Sequence, residues 1–65
     1  MSKDKLIEEI AANVSNRVYA AVAGLYEEAE HADLIVGNGH HMAQDIAERA
    51  KRLLLERYRK RNGVE

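Results

Sequence analysis

The sequence predicts an all-α fold: an antiparallel helical hairpin, two long helices joined by a Gly-Asn-Gly turn, that assembles into a four-helix bundle or larger oligomer. Three observations carry that prediction. Proline is absent and alanine occurs ten times in 65 residues, the composition of uninterrupted helices rather than of turns and strands. Strong punctuation falls at one place only, Gly37-Asn38-Gly39. Residues 18 to 26 read Val-Tyr-Ala-Ala-Val-Ala-Gly-Leu-Tyr, about two and a half turns with no polar side. A helix that is apolar all round belongs in the interior of something larger, and one hairpin of this size cannot enclose it.

Helix 1 is expected over about residues 3–32. Ser2 or Asp4 can accept a hydrogen bond from the free amides of its first turn. Along it, apolar or small residues recur at Ile7, Ile10, Val14, Val18, Ala21, Leu25, Ala29 and Ala32, in steps of 3, 4, 4, 3, 4, 4 and 3. This eleven-residue pattern favours a nearly straight helix over a left-handed coiled coil. A second stripe, Ala12, Ser15, Tyr19, Val22 and Tyr26, runs about 100° further round, and two stripes imply two interfaces. Ala20, Ala23 and Gly24 leave little room for water in the central segment and allow a close helix approach. The polar island Asn13, Ser15, Asn16 and Arg17 is of the kind that sets register or partner choice in an oligomer core.

The connector is expected at about 33–38. Gly37 can take the left-handed conformation that ends a helix, and Asn38 can cap the next one. Leu34, Ile35 and Val36 suit either a last helical turn or an extended segment, and the β-branched pair weighs against helix. Helix 2 follows over about 39–62, with the stripe Met42, Ala43, Ile46, Ala47, Ala50, Leu53, Leu54 and Tyr58. Leu55 falls outside the stripe, and Gly63 with Val64 fits a Schellman ending. The whole forms a single domain, residues 1–65. A chain this small is marginal without a staple, and with no cysteine neither a disulfide nor a thiolate zinc site is available. What remains is association. The interface is expected to hold Val14, Val18, Tyr19, Ala21, Val22, Leu25, Tyr26, Ile46, Ala50, Leu53, Leu54 and Tyr58, the tyrosines at its rim.

The charges fall unevenly. Residues 1–38 carry a net −4 and residues 39–65 a net +3. Asp4, Glu8 and Glu9 suit the positive end of helix 1, and Arg57, Arg59, Lys60 and Arg61 the negative end of helix 2; an antiparallel hairpin brings the two groups together. The basic end, Arg49, Arg52, Arg57, Arg59, Lys60 and Arg61, is also the candidate surface for nucleic-acid phosphates. Three histidines flank the turn. Glu28, His31, His41 and Asp45 have spacings of three and four that a metal ion could use, and the nearby acids could tune histidine titration. No nucleophilic constellation is present: Ser2 and Ser15 are the only serines, and threonine is absent.

The layout resembles that of small plasmid and phage helical hairpins of the Rop type, a likeness of architecture. The reading is a non-enzymatic oligomeric interaction protein, a regulator or inhibitor acting through helical faces, with a homo-oligomer and a protein partner and without a cofactor. A nucleic-acid-binding bundle is the alternative, and a metal-binding carboxylate–histidine bundle the third. The apolar runs are far short of the roughly 20 residues that span a bilayer, and the Lys3-Asp4-Lys5 start is unlike a signal peptide. The expectation is a soluble cytoplasmic protein that does not enter membranes.

Overall fold

The computed structural model describes residues 2–63. Two helices, α1 at Lys3–His31 and α2 at Gly39–Arg61, make up the fold, and no strand occurs among the described residues. They lie antiparallel in a slab of 45 × 22 × 11 Å. Tyr58 meets Asp4 at the terminal end, and Gly39 lies against Tyr26 and Glu27 at the connector end.

Local chemistry sets the helix ends. Ser2 is extended, and its Oγ accepts from the Lys5 amide at 3.2 Å, satisfying one of the free donors of the first turn. Asn38 does the same for α2, its Oδ1 accepting from the His41 amide at 3.2 Å. α1 closes with a Schellman pair. The Leu34 amide donates to the Ala29 carbonyl at 2.9 Å and the Asp33 amide to the Glu30 carbonyl at 3.1 Å. The left-handed residue in this motif is Asp33, at φ 62°, which corrects the expectation that Gly37 ends the helix. Aspartate is among the few residues with a side chain that enter this region at modest cost. Gly37 serves later, at φ 125°, where the chain swings into α2. Residues 34–36 are therefore outside both helices. At the far end Gly63 has φ 71° and donates to the Lys60 carbonyl at 3.3 Å. Val64, the other half of the expected Schellman ending, lies outside the described residues.

Small residues make the seam between the helices. Ala11, Ala43 and Ala47 are the buried hydrophobic residues among those described, at 0%, 0% and 3% exposure. Gly39 is buried as well. A Cβ at Gly39 would sit 2.7 Å from the Glu27 nitrogen and from the Tyr26 carbonyl carbon and oxygen. Those are backbone atoms that cannot step aside, so only glycine permits this approach. Val14, Val18, Val22, Ile46, Ala50 and Leu54 border the seam, partly buried.

The single hairpin leaves several of the expected apolar positions uncovered. Ala21, Leu25 and Leu53, expected at an interface, are exposed in the hairpin, and so is Met42 of the expected helix 2 stripe. Leu55, expected outside the stripe, is partly buried beside Asp4, Ile7, Glu8, Tyr58 and Arg59. Leu54 lies on the seam, so Leu53 and Leu55 fall about 100° to either side of it; one faces outward and the other covers α1. Gly24 has nothing within 4 Å of a Cβ position in the hairpin, and the close approach between α1 and α2 is made at Gly39.

Candidate functional site

The hairpin has two broad faces of opposite character, and their separation follows from residue order. Ile10 precedes Ala11 by one position, and Met42 and Ile46 precede Ala43 and Ala47 by one. In each helix the larger apolar side chain is displaced about 100° in the same sense from the seam. Because the helices are antiparallel, that shared sense brings both stripes to the same side of the slab. Leu6, Ile10, Ala21 and Leu25 form the α1 stripe, and Met42, Ile46 and Leu53 the α2 stripe. Exposures of 46% at Leu6, 43% at Ile10, 66% at Leu25 and 53% at Leu53 show how little of this face the hairpin itself covers. At the connector end Leu34 and Val36 are also open to solvent.

Residues one position after the seam build the opposite face, which is polar. Ser15, Asn16 and Tyr19 of α1 and His40, Gln44, Ala47 and Glu48 of α2 line an open groove of about 550 Å³. Tyr19 Oη is hydrogen-bonded to His40 Nδ1, and the two rings meet edge to face with centroids 5.4 Å apart. Above the groove the Gly39 amide donates to Glu30 Oε1 at 2.9 Å. Below it Tyr58 Oη donates to Asp4 Oδ1 at 2.5 Å. That hydrogen bond, with smaller contributions from desolvation and from the Asp4 charge, raises the Tyr58 pKa above its ordinary value of 10.0. All three hydrogen bonds cross between the helices on this side.

Other expected site residues are placed as follows. Arg49, Arg52, Arg57, Arg59, Lys60 and Arg61 are all exposed. They do not share one surface, because residues two apart, such as Arg57 and Arg59, project about 200° apart. Among the described residues the one ion pair is Arg49 with Asp45, at 3.1 Å on the open surface. The terminal acids and bases thus share an end of the hairpin without closing into ion pairs, and the contact that does form there is the Tyr58–Asp4 hydrogen bond. Among the described residues no three histidine or carboxylate side chains converge to hold a metal. Within one chain Glu28, His31, His41 and Asp45 therefore do not form a ligand set, and Asp45 pairs with Arg49 instead. No helix is long and apolar enough to cross a membrane among the described residues.

No protein-family model, curated protein or solved structure matches the chain. The geometry alone carries the functional argument.

Tyr19–His40 and Tyr58–Asp4 are not visible in the sequence, because each pairs residues 21 and 54 positions apart whose meeting depends on the hairpin register. Gly39 had a signal in the Gly-Asn-Gly turn, though one that marks a turn and not a seam. The apolar face is the feature with the largest energetic consequence. A compact monomer of 7.3 kDa exposes about 4,200 Å² by the usual mass scaling. This chain exposes 5232 Å².

Proposed function

We propose that this chain is a small non-enzymatic interaction protein, a regulator or inhibitor that works by docking its apolar helical face against another helical surface. The observation that carries the reading is the contrast between a seam of alanine and glycine and an outward face of leucine, isoleucine and methionine. Completing the burial of a Leu, Ile or Met side chain stabilises by about 1.5 to 3 kcal/mol when it starts fully exposed. Even half of that at Leu6, Ile10, Leu25, Met42 and Leu53 rivals the whole stability of a domain this small. An exposed apolar face of this kind, interrupted on α1 by Arg17, suits an association surface. On the polar face three side-chain hydrogen bonds already cross between the helices.

Photo-crosslinking in the native host tests the reading. A photoreactive side chain at Leu25 is expected to capture a protein, whereas the same group at Gln44 is not. Adducts from Gln44 with none from Leu25 would overturn the assignment of the working face. The nucleic-acid alternative is favoured by one observation, the exposure of Arg57, Arg59, Lys60 and Arg61 without an ion-pair partner among the described residues. It requires RNA or DNA binding that weakens steeply with salt and that disappears when those four residues become Gln.

A further inference from the structure

We infer that the apolar face is covered by a second copy of this chain, stacked with the connector end of one hairpin over the terminal end of the other. The inference rests on the apolar face being the docking surface. Two properties of the face select this occupant and this orientation.

The first is area. The broad side of the slab measures 45 × 22 Å, which accommodates the roughly 800 Å² that each partner contributes to a stable interface of standard size. The surface exposed beyond that of a compact monomer, about 1,000 Å², is of the same order. One further hairpin is enough to remove it.

The second is the order of charges along the stripe. On α1 the exposed stripe continues beyond its apolar residues in both directions: Lys3, Leu6, Ile10, Val14, Arg17, Ala21, Leu25, Glu28, in steps of 3, 4, 4, 3, 4, 4 and 3. It begins on a cation and ends on an anion, and the step pattern is the same read from either end. A two-fold axis across the helices therefore superimposes the stripe on its own reverse. Lys3 then faces Glu28 of the second copy, Leu6 faces Leu25, Ile10 faces Ala21, and Val14 faces Arg17. Arg17 meets a valine and not itself, so its stem packs while the guanidinium reaches the edge of the stack. On α2 the stripe leads from Met42 through Ile46 and Leu53 to Arg57 and Lys60, with Glu56 beside Leu53, so the terminal end of the whole face carries an excess of basic charge. Stacking with both connectors at the same end would set Lys3, Arg57 and Lys60 of one copy beside those of the other. Like charges in register select against that arrangement. The opposed stacking brings the basic end toward Glu28 and Asp33 of the second copy, and the same patch serves both chains, as a two-fold interface requires.

Because the chain contains no cysteine, introduced thiols report the stacking without ambiguity. Leu6 and Leu25 lie outside the seam, so Leu6→Cys and Leu25→Cys should both leave the hairpin folded. Mild oxidation of the two purified variants mixed in equal amounts is expected to give mainly the mixed disulfide dimer. A dominant product between Leu6→Cys and Leu53→Cys would place both connectors at one end and overturn the arrangement. A purified wild-type chain that sediments at 7.3 kDa at micromolar concentration would overturn the second copy as occupant. The wider reading would survive that result if Leu25 still captured a different protein in the host, and would fall with it if Leu25 captured nothing.

Discussion

The two faces of this hairpin differ in what holds them: one carries hydrogen bonds between the helices and the other exposes large apolar side chains. On the polar face three side-chain hydrogen bonds cross from one helix to the other: Glu30 with the Gly39 amide near the connector, Tyr19 with His40 in the groove, and Tyr58 with Asp4 at the termini. Each fixes the height of α2 against α1. Among the described residues none of the side-chain hydrogen bonds between the helices lies on the apolar face, which presents the larger hydrophobic side chains to solvent. Polar contacts contribute modestly to net stability, but they are directional. Apolar burial is stronger and indifferent to direction. One side of the hairpin thus sets its register, while the other leaves its larger hydrophobic side chains exposed, the surface proposed for association.

Changing each side in turn tests the division, beginning where the effect is largest. Leu25→Asp places a carboxylate within the apolar face, toward its connector end. It is expected to weaken association about 30-fold or more, the 2 kcal/mol threshold of an interface hot spot, with the helical circular dichroism of the hairpin retained at low temperature. Gln44→Ala, on the polar face, should leave the dissociation constant within about twofold. Equal losses from the two variants would erase the distinction between the faces.

The seam between the faces should respond next. Gly39→Ala forces a Cβ to within 2.7 Å of the α1 backbone and is expected to cost about 1 to 3 kcal/mol, read as a fall in the urea midpoint. Gly24→Ala meets nothing and should be neutral or stabilise by up to about 1 kcal/mol through helix propensity. Loss of stability from both, or from Gly24→Ala alone, would show that the close approach is elsewhere.

Smaller effects belong to the polar face. Tyr19→Phe removes the bond to His40 and should cost about 1 kcal/mol without changing the association constant of the folded chain. The Tyr58 contact has a pH signature. Its folded pKa is raised, so the stabilisation is fully present below the ordinary tyrosine value of 10.0 and is lost as pH rises through the raised value. Alkaline titration of the melting temperature should show this small loss in the wild type and not in Tyr58→Phe. An identical alkaline profile in the two would remove Tyr58 from the account.

Much of the fold is legible in the sequence because it depends on local chemistry. Alanine-rich segments without proline give long helices, and Ser2 and Asn38 cap them as their side chains allow. The Gly-Asn-Gly turn falls between them. The end of α1 was harder to read, since Asp33 takes the left-handed position that glycine usually holds, and a glycine stood four residues away. The rotation of the helices was not legible. Residues 18 to 26 are apolar on every side, so periodicity there does not distinguish the seam from the outer flank. In α2 the run Leu53-Leu54-Leu55 offers three adjacent leucines, and only contact with α1 decides that Leu54 faces the seam, Leu55 covers Asp4 and Ile7, and Leu53 points away. Of the candidate site, the apolar residues could be named from the pattern, but the face they share becomes visible only when Ala11, Ala43 and Ala47 are seen to occupy the seam.

Sedimentation equilibrium of the unmodified protein across the micromolar range decides whether a second copy of the chain completes the apolar face. A species of twice the 7.3 kDa chain mass is expected, with a melting temperature that rises with protein concentration. A helical monomer of 7.3 kDa whose melting temperature is independent of concentration would contradict it.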